Sequence, residues 1–342
     1  MAAGPALRAR SKGAALLLAM LTVTLVATLA ASALWQQWRG IAVESAERSR
    51  LQASWVLVGA LDWARLILLE DARSSAVDHL GEPWAIALQE SRLSTFLAAD
   101  KTTTANAEDS LPQAFLSGLI TDQQARLNVM NLVDGGKLSE PTMRAFGKLF
   151  ELLGLAPTEL SGLANNLLAA SSAASSAANV NGTNASPAAN ASPATNAGSD
   201  DLGNLTPLLP QRVDQLVWLG LSRRSLEILR PHITLLPART PVNINTASAT
   251  VLYASIAALD MAQAQRLVTA RQANPFLLLA DVTKVLGPDL ALGSAEQSVN
   301  TRFFEVQGRF RLDQAVTQEH SFVQRDGLVV KVLWRDHETP TR

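Results

Sequence analysis

Ala14 to Leu34 reads AALLLAMLTVTLVATLAASAL, an uncharged run interrupted only by Thr22, Thr24, Thr28 and Ser32. About 20 apolar residues at 1.5 Å per residue cross a bilayer core of roughly 30 Å. Arg8, Arg10 and Lys12 precede the run, and Trp35, Trp38 and Arg39 follow it. Basic residues hold their end of a span in the cytoplasm and tryptophans favour the interface, so most of the chain is expected on the far side. Beyond the run, the next proline comes only at Pro83. Trp38, Ile41, Ser45, Arg48, Leu51, Trp55, Val58 and Leu61 keep a spacing of three and four, which continues the helix into water. An unbroken helix from Ala14 to Ala72 would be about 88 Å long.

Three readings of the N-terminus compete. A cleaved secretory signal could use Ala30, Ala31, Ser32 and Ala33 as its small-residue cut site. A signal anchor would simply stay in place. A leader cut on the cytoplasmic side would end at Gly13, after Ser11 and Lys12 and before Ala14. Periodicity that runs straight through the membrane exit favours the third, because the whole rod is then retained.

The rest of the chain is bounded by composition. It has 342 residues, a net charge of −1 and no cysteine, so disulfides, thiolate metal sites and cysteine nucleophiles are excluded. No global basic field attracts nucleic acid. Ser75 to Ala99 contains the turn Gly81-Glu82-Pro83-Trp84. Ala114 to Val133 carries two strand-like runs around Thr121-Asp122-Gln123-Gln124 and reads as a hairpin. Thr301 to Leu312, Val316 to Gln324 and Leu328 to Trp334 are three further strands, the last two joined by Arg325-Asp326-Gly327, in which Asp-Gly is the hairpin signal. Between these β pieces, helices are expected over Pro141–Leu153, Val213–Leu219, Ser222–Arg230, Ala247–Leu259, Met261–Ala273 and Phe276–Leu286. Residues 169–203 are rich in Ala, Ser, Asn and Pro and read as a disordered loop.

Several segments carry a family resemblance in this order: Lys12-Gly13-Ala14, Trp35-Gln36-Gln37-Trp38, Ala60 to Arg65, Glu82-Pro83-Trp84-Ala85, Ile120 to Asn128, and Thr240 to Ala247. Together they resemble the minor pseudopilin K family of bacterial type II secretion. The resemblance implies an α+β fold, with a long transmembrane helix on an antiparallel pseudopilin sheet interrupted by an all-α domain. Its expected divisions are a leader at 1–13, a membrane half at 14–34 and an outer half at 35–73. The α/β domain then occupies 74–134 and 300–342, with the helical insert at 135–299. It also implies that prepilin peptidase cuts between Gly13 and Ala14 and methylates the Ala14 amine. The other implied partners are further minor pseudopilins, the major pseudopilin and the inner membrane. Most pseudopilins carry a glutamate five residues past the cut; here that position is Leu18. A subunit without this carboxylate needs no neighbouring amine above it, which suits the end of a filament.

Other chemistry is weaker in the sequence. Pro241 to Ser248 resembles the opening of a helix-hairpin-helix DNA module, but the following turn, Ala258 to Met261, has no glycine and places Asp260 where phosphate would sit. We therefore expect no nucleic acid partner; Asn243 and Asn245 should serve the turn backbone, with Thr246 or Ser248 capping the next helix. The acidic pairs Glu108-Asp109 and Asp200-Asp201 could contribute oxygens to a Ca2+ site, and the resemblance implies Ca2+ in the helical domain, but no EF-hand spacing is present and the ligands are left open. His79, His232 and His320 lack a nucleophile motif, and no enzymatic activity is expected.

Overall fold

A computed structural model describes residues 11–93, 114–182, 207–287, 292–313 and 315–338. Its first element is one helix, α1 (Ser11–Ser74), of 64 residues, which at 1.5 Å per residue is about 96 Å long. Thr22, Thr24, Thr28 and Ser32 each donate their hydroxyl to the carbonyl three residues earlier, at 2.8–2.9 Å. The polar interruptions thus satisfy themselves within the helix and need no water in lipid. From Ala14 to Gln52 every residue except Ser49 is exposed. Docking begins at Ala53 and continues through Leu57, Leu61, Ala64 and Leu68, all buried at steps of four and three. Gly40 and Gly59 lie inside the helix without breaking it.

The docked half of α1 covers a five-stranded antiparallel sheet of order β1-β2-β9-β10-β11. Its strands are β1 (Leu88–Arg92), β2 (Ala114–Asp122), β9 (Phe303–Leu312), β10 (Ala315–Asp326) and β11 (Val329–Glu338). Alternation assigns each side chain its face. Phe304, Val306, Val323 and Val330 meet Leu61, Ala64, Leu68 and Trp84 on the α1 side. On the opposite face Phe303 and Phe322 pack with Leu236 and the half-buried Trp334. Gly118 stands opposite Gly308 across β2 and β9. A Cβ on Gly308 would lie 3.0 Å from Leu57 Cδ2, so this glycine lets the helix settle closely on the sheet. The last two strands turn at Gly327 and Leu328, with Gly327 at φ 56° as the first central position of a II′ turn requires.

Between β2 and β9 the chain builds a helical body. It contains α2 (Glu140–Leu152), α3 (Pro157–Gly182), α4 (Arg223–Leu229), α5 (Ala249–Ser255), α6 (Met261–Ala273) and α7 (Leu279–Leu286). Short strands tie it together: β3 (Leu127–Asn128) beside β6 (Ile233–Thr234), β4 (Val133–Asp134) beside β5 (Lys137–Leu138), and β7 (Val242–Asn243) beside β8 (Gln297–Ser298). Phe146, Leu149, Phe150, Leu163, Leu167, Leu216 and Leu252 form its dry centre. The expected α+β architecture is present: an apolar rod, an antiparallel sheet, and helices between the sheet strands.

Three local readings are corrected. The Ala114–Val133 hairpin does not form, because β2 pairs with β1 and β9 while Leu127-Asn128 turns away to run parallel with Ile233-Thr234. Asp122 stops the strand by accepting the Gln124 N–H at 2.7 Å, which starts a 3₁₀ turn. Disorder from residue 169 is also overturned at its start. The helix α3 carries the chain to Gly182, since alanine is the best helix former and Leu167 and Ala170 are buried in the helical core. The remainder of that stretch, from residue 183, lies outside the described residues until 207. Finally, Val213–Leu219 is a 3₁₀ helix closed by Gly220 at φ 95°, and β1 and α3 have no counterpart among the elements expected from sequence.

Candidate functional site: rod and joint

Two features of the chain can do work: the free part of α1 and the place where rod, sheet and helical body meet. On the rod, Ala14 and Leu18 are exposed on the helix, Leu18 at 66%. Gly13 lies two residues inside the described start of the helix. The most apolar 18-residue window has a mean hydropathy of 2.3 and none of it is buried within the chain. Leu16, Leu17, Leu21, Val23, Leu25, Val26 and Leu29 are also more than half exposed, a surface that needs lipid or other apolar helices around it.

The joint is polar and buried, and Arg325 of β10 sits at its centre. Its guanidinium donates to Asp71 Oδ2 at 2.7 Å on α1 and to Asp78 Oδ1 at 2.5 Å on the following linker. It also donates to the carbonyls of Leu68 and Thr301 at 3.4 and 3.0 Å, and lies 5.0 Å from the Phe304 ring centroid. Asp78 Oδ2 accepts the Thr301 N–H at 2.7 Å. Glu82 Oε2 accepts from the Trp84 indole at 2.7 Å and from the His79 backbone at 2.9 Å, which fixes the turn after the rod. Trp84 is buried edge-on against Phe304, with ring centroids 5.2 Å apart.

The helical body enters the joint through Asn243 and Thr246. Asn243 Nδ2 donates both to the Asp78 carbonyl at 3.1 Å and to Asp122 Oδ2 at 3.0 Å. Thr246 Oγ1 donates to the same Asp122 oxygen at 2.5 Å. Asn243 Oδ1 meanwhile accepts the Asn245 N–H at 3.0 Å, and Asn245 exchanges bonds with both backbone groups of Phe276 at 2.9 Å. Arg271 Nη1 donates to the Ile244 carbonyl at 2.5 Å, and its burial pulls the guanidinium down to about 10. Gln124 bridges the same seam, donating to the Pro241 carbonyl at 3.1 Å and accepting the Arg302 N–H at 2.8 Å.

Two buried carboxylates, Asp71 and Asp78, therefore share one guanidinium, with Glu82 and Asp122 buried nearby. Burial pushes Asp71 up from the usual carboxylate range, with Arg325 pulling back and Glu82 adding repulsion. Burial also raises Asp78, again opposed by Arg325. Asp122 has no cation of its own and is pushed up to about 6 by burial, despite its hydrogen bonds from Thr246 and the Gln124 backbone.

Two stretches of the chain, 125–238 and 242–302, match family models that both describe the type II secretion system protein K. Between them they cover just over half of its residues. The chain belongs to the type II secretion system protein K family. It is 27% identical over 340 residues to the type II secretion system protein K of Pseudomonas aeruginosa PAO1, covering 96% of this chain and 94% of that protein. A chain of the GspK-GspI-GspJ complex from enterotoxigenic Escherichia coli shares the fold, at a TM-score of 0.56 and 18% identity. The match covers 86% of this chain and 98% of that one. The protein is thus a component of a secretion apparatus, and its apolar rod anchors it in a membrane.

The joint explains three of the segments that carried the resemblance. Glu82-Pro83-Trp84, Ile120 to Asn128 and Thr240 to Ala247 are distant in sequence, yet all converge there. The Asn243 segment spends its polar groups inside the molecule: Asn243 and Asn245 are at most 1% exposed, leaving nothing to offer a phosphate. Ser248, not Thr246, caps α5 by accepting the Val251 N–H at 3.3 Å.

For calcium, Glu108-Asp109 and Asp200-Asp201 lie outside the described residues. Among those described, Asp71, Asp78 and Glu82 bring carboxylate oxygens within 4.8 Å of one another. The Arg325 guanidinium already bonds Asp71 and Asp78, and Glu82 is taken by Trp84 and His79. A hard cation that wants six to eight oxygens does not fit there, so Asp71 and Asp78 form a guanidinium site. The histidines are separate. His79 lies 3.7 Å from Glu82 and His320 3.0 Å from Glu305, while burial lowers the pKa of His232. No serine hydroxyl bonds any of the three among the described residues.

Sequence reasoning did not single out Asp71 or Asp78, and it placed Arg325 in a turn, whereas Arg325 pairs with Val330 inside the ladder of β10 and β11. Their only sequence signal is a charged residue at a position whose neighbours are buried, as in Arg325 after Phe322 and Val323.

Proposed function

We propose that this chain is a processed minor pseudopilin that initiates or caps the type II secretion pseudopilus. The observation that carries the reading is α1 itself: an apolar half with no cover from its own chain, joined without a break to a half docked on a sheet. A rod of that kind can leave lipid only for a bundle of similar rods. The helical body widens the subunit at the end away from the membrane, which suits a terminal position and hinders a repeating one. The resemblance assigns the leader to 1–13, the cut to the Gly13–Ala14 bond and N-methylation to Ala14. Leu18 takes the place of the carboxylate that would call for another subunit above. The partners on this reading are other minor pseudopilins, the major pseudopilin and the prepilin peptidase. The α/β unit (74–134 with 300–342) and the helical insert (135–299) stand in the periplasm, Arg8, Arg10 and Lys12 hold the start of the chain in the cytoplasm, and the work is assembly without catalysis.

The test is the mature N-terminus. Full chain expressed with an active prepilin peptidase should begin with N-methylated Ala14, and with an inactive peptidase it should keep its leader. A mature chain that begins near Trp35 would remove the rod and end this reading.

A further inference from the structure

One contact between sheet and helical body runs through a single buried carboxyl group. Asp122 is 2% exposed at the end of β2, and its Oδ2 holds both Asn243 and Thr246 of the helical body. The groups facing it are unevenly charged. Its hydrogen-bond partners on the helical side are neutral, and the nearest cation of that body, Arg271, is committed to the carbonyls of Ile244 and Thr246. The linker brings Asp78, whose charge repels that of Asp122, followed by Glu82 and the half-buried His79. Asp71 approaches from α1. Arg325 of β10 bonds Asp71 and Asp78 but not Asp122, and Arg302, ahead of β9, turns its guanidinium to Asp326. A bare carboxylate at 122 is therefore buried near the like charge of Asp78, with only neutral donors.

The local geometry accepts a proton without moving a heavy atom. In the ionised form the Thr246 hydroxyl donates to Asp122 Oδ2. In the neutral form that oxygen carries the hydrogen and donates to Thr246 Oγ1. The threonine hydrogen then turns to the Asn243 carbonyl, 3.4 Å away, while Asn243 Nδ2 keeps its bond to Oδ2. Both states keep the contact, but only the ionised one has to bear an uncompensated buried charge.

We propose that Asp122 is a proton-operated latch between the sheet and the helical body, tight when the carboxyl holds a proton and looser when it does not. The direction follows from linkage. A carboxyl held near 6 in the closed joint and at its ordinary 3.8 in an open, wet one favours closure at low pH. That gain fades as pH rises through the closed-state value. Between about pH 5 and about pH 7.5 the closing equilibrium should change by about tenfold. The latch would stiffen the attachment of the broad helical end to the rod wherever the compartment is mildly acidic.

Amide hydrogen exchange on the full chain in detergent, corrected for the intrinsic effect of pH, reads this directly. The amides of Asn245 to Ala247 and of Gln124 should be about tenfold better protected at the lower pH. Amides at the centre of α2 and in β9 should stay level. Asp122→Asn should lose the pH response. Should that variant not fold, Thr246→Val keeps the carboxyl but removes a donor to its ionised form, so the midpoint should move to higher pH. The latch is refuted by equal protection at both pH values, by a change of the same size throughout the molecule, by a response that survives Asp122→Asn, or by a midpoint unmoved in Thr246→Val.

Discussion

Replacing Arg325 with methionine would keep most of the side-chain volume while removing the only cation that bonds Asp71 and Asp78 among the described residues. Both carboxylates are at most 7% exposed, and Arg325 itself is 8% exposed, so water cannot easily take its place. Breaking a buried ion pair by deleting one partner costs about 3–5 kcal/mol, chiefly because a charge is left buried alone. Here two charges are left, and the carbonyls of Leu68 and Thr301 lose a donor as well. At about 2–4 °C per kcal/mol for a folded region of this size, thermal unfolding in detergent should fall by roughly 6–20 °C at neutral pH. The deficit should also depend on pH in a definite sense. Burial already holds Asp71 and Asp78 above the ordinary carboxylate range, and removing the guanidinium raises them further. A carboxyl raised on folding contributes stability below its unfolded value and loses it as pH climbs through the folded one. Arg325→Met should therefore be worst near neutrality and recover on acidification, as the stranded carboxyls take up protons. Adding Asp71→Asn and Asp78→Asn to the variant should restore much of the loss at neutral pH. Circular dichroism melts at several pH values decide the matter. A melting point within about 2 °C of the parent at neutral pH would refute the claim that this guanidinium holds rod and sheet together.

Two other substitutions probe the packing and the membrane half. Gly308→Val should cost about 1–3 kcal/mol, because even its Cβ meets Leu57 Cδ2 at 3.0 Å and the extra methyls must push α1 off the sheet; the melting point and proteolysis of the docked half of α1 would register it. Leu18→Glu places a carboxyl in the apolar half at a cost of about 2.5–3.5 kcal/mol, and at a filament end no amine lies above to pair with it. Recovery with other minor pseudopilins from membranes should then drop, and unchanged recovery would count against a terminal position.

Much of this molecule was legible from local pattern. The rod follows from Ala14 to Leu34 and from the three-and-four spacing beyond, because a helix satisfies its own backbone and needs no partner to be recognised. The C-terminal strands follow from alternation and from Asp326-Gly327, although the turn itself centres on Gly327 and Leu328. The helix Met261–Ala273 coincides with its expected limits, its start fixed by Asp260 accepting the Gln263 N–H. Where the pattern was ambiguous, pairing decided. Ala114 to Val133 had the look of a hairpin, but β2 found a better partner in β9, some 180 residues later, and Asp122 bent the chain away. The alanine-rich stretch looked too polar to order, yet its first turns are held by the helical core through Leu167 and Ala170.

The sequence by itself thus determined the membrane rod, the class of fold and the family, since each rests on residues close together along the chain. Only the tertiary structure brought Asp71, Asp78, Glu82, Asp122, Asn243, Thr246 and Arg325 to one point. A charged residue in isolation carries no sign of whether it will be wet or dry. Its pKa, its partner and its part in the joint are set by distant segments that exclude water from it, and that exclusion exists only once the chain has folded.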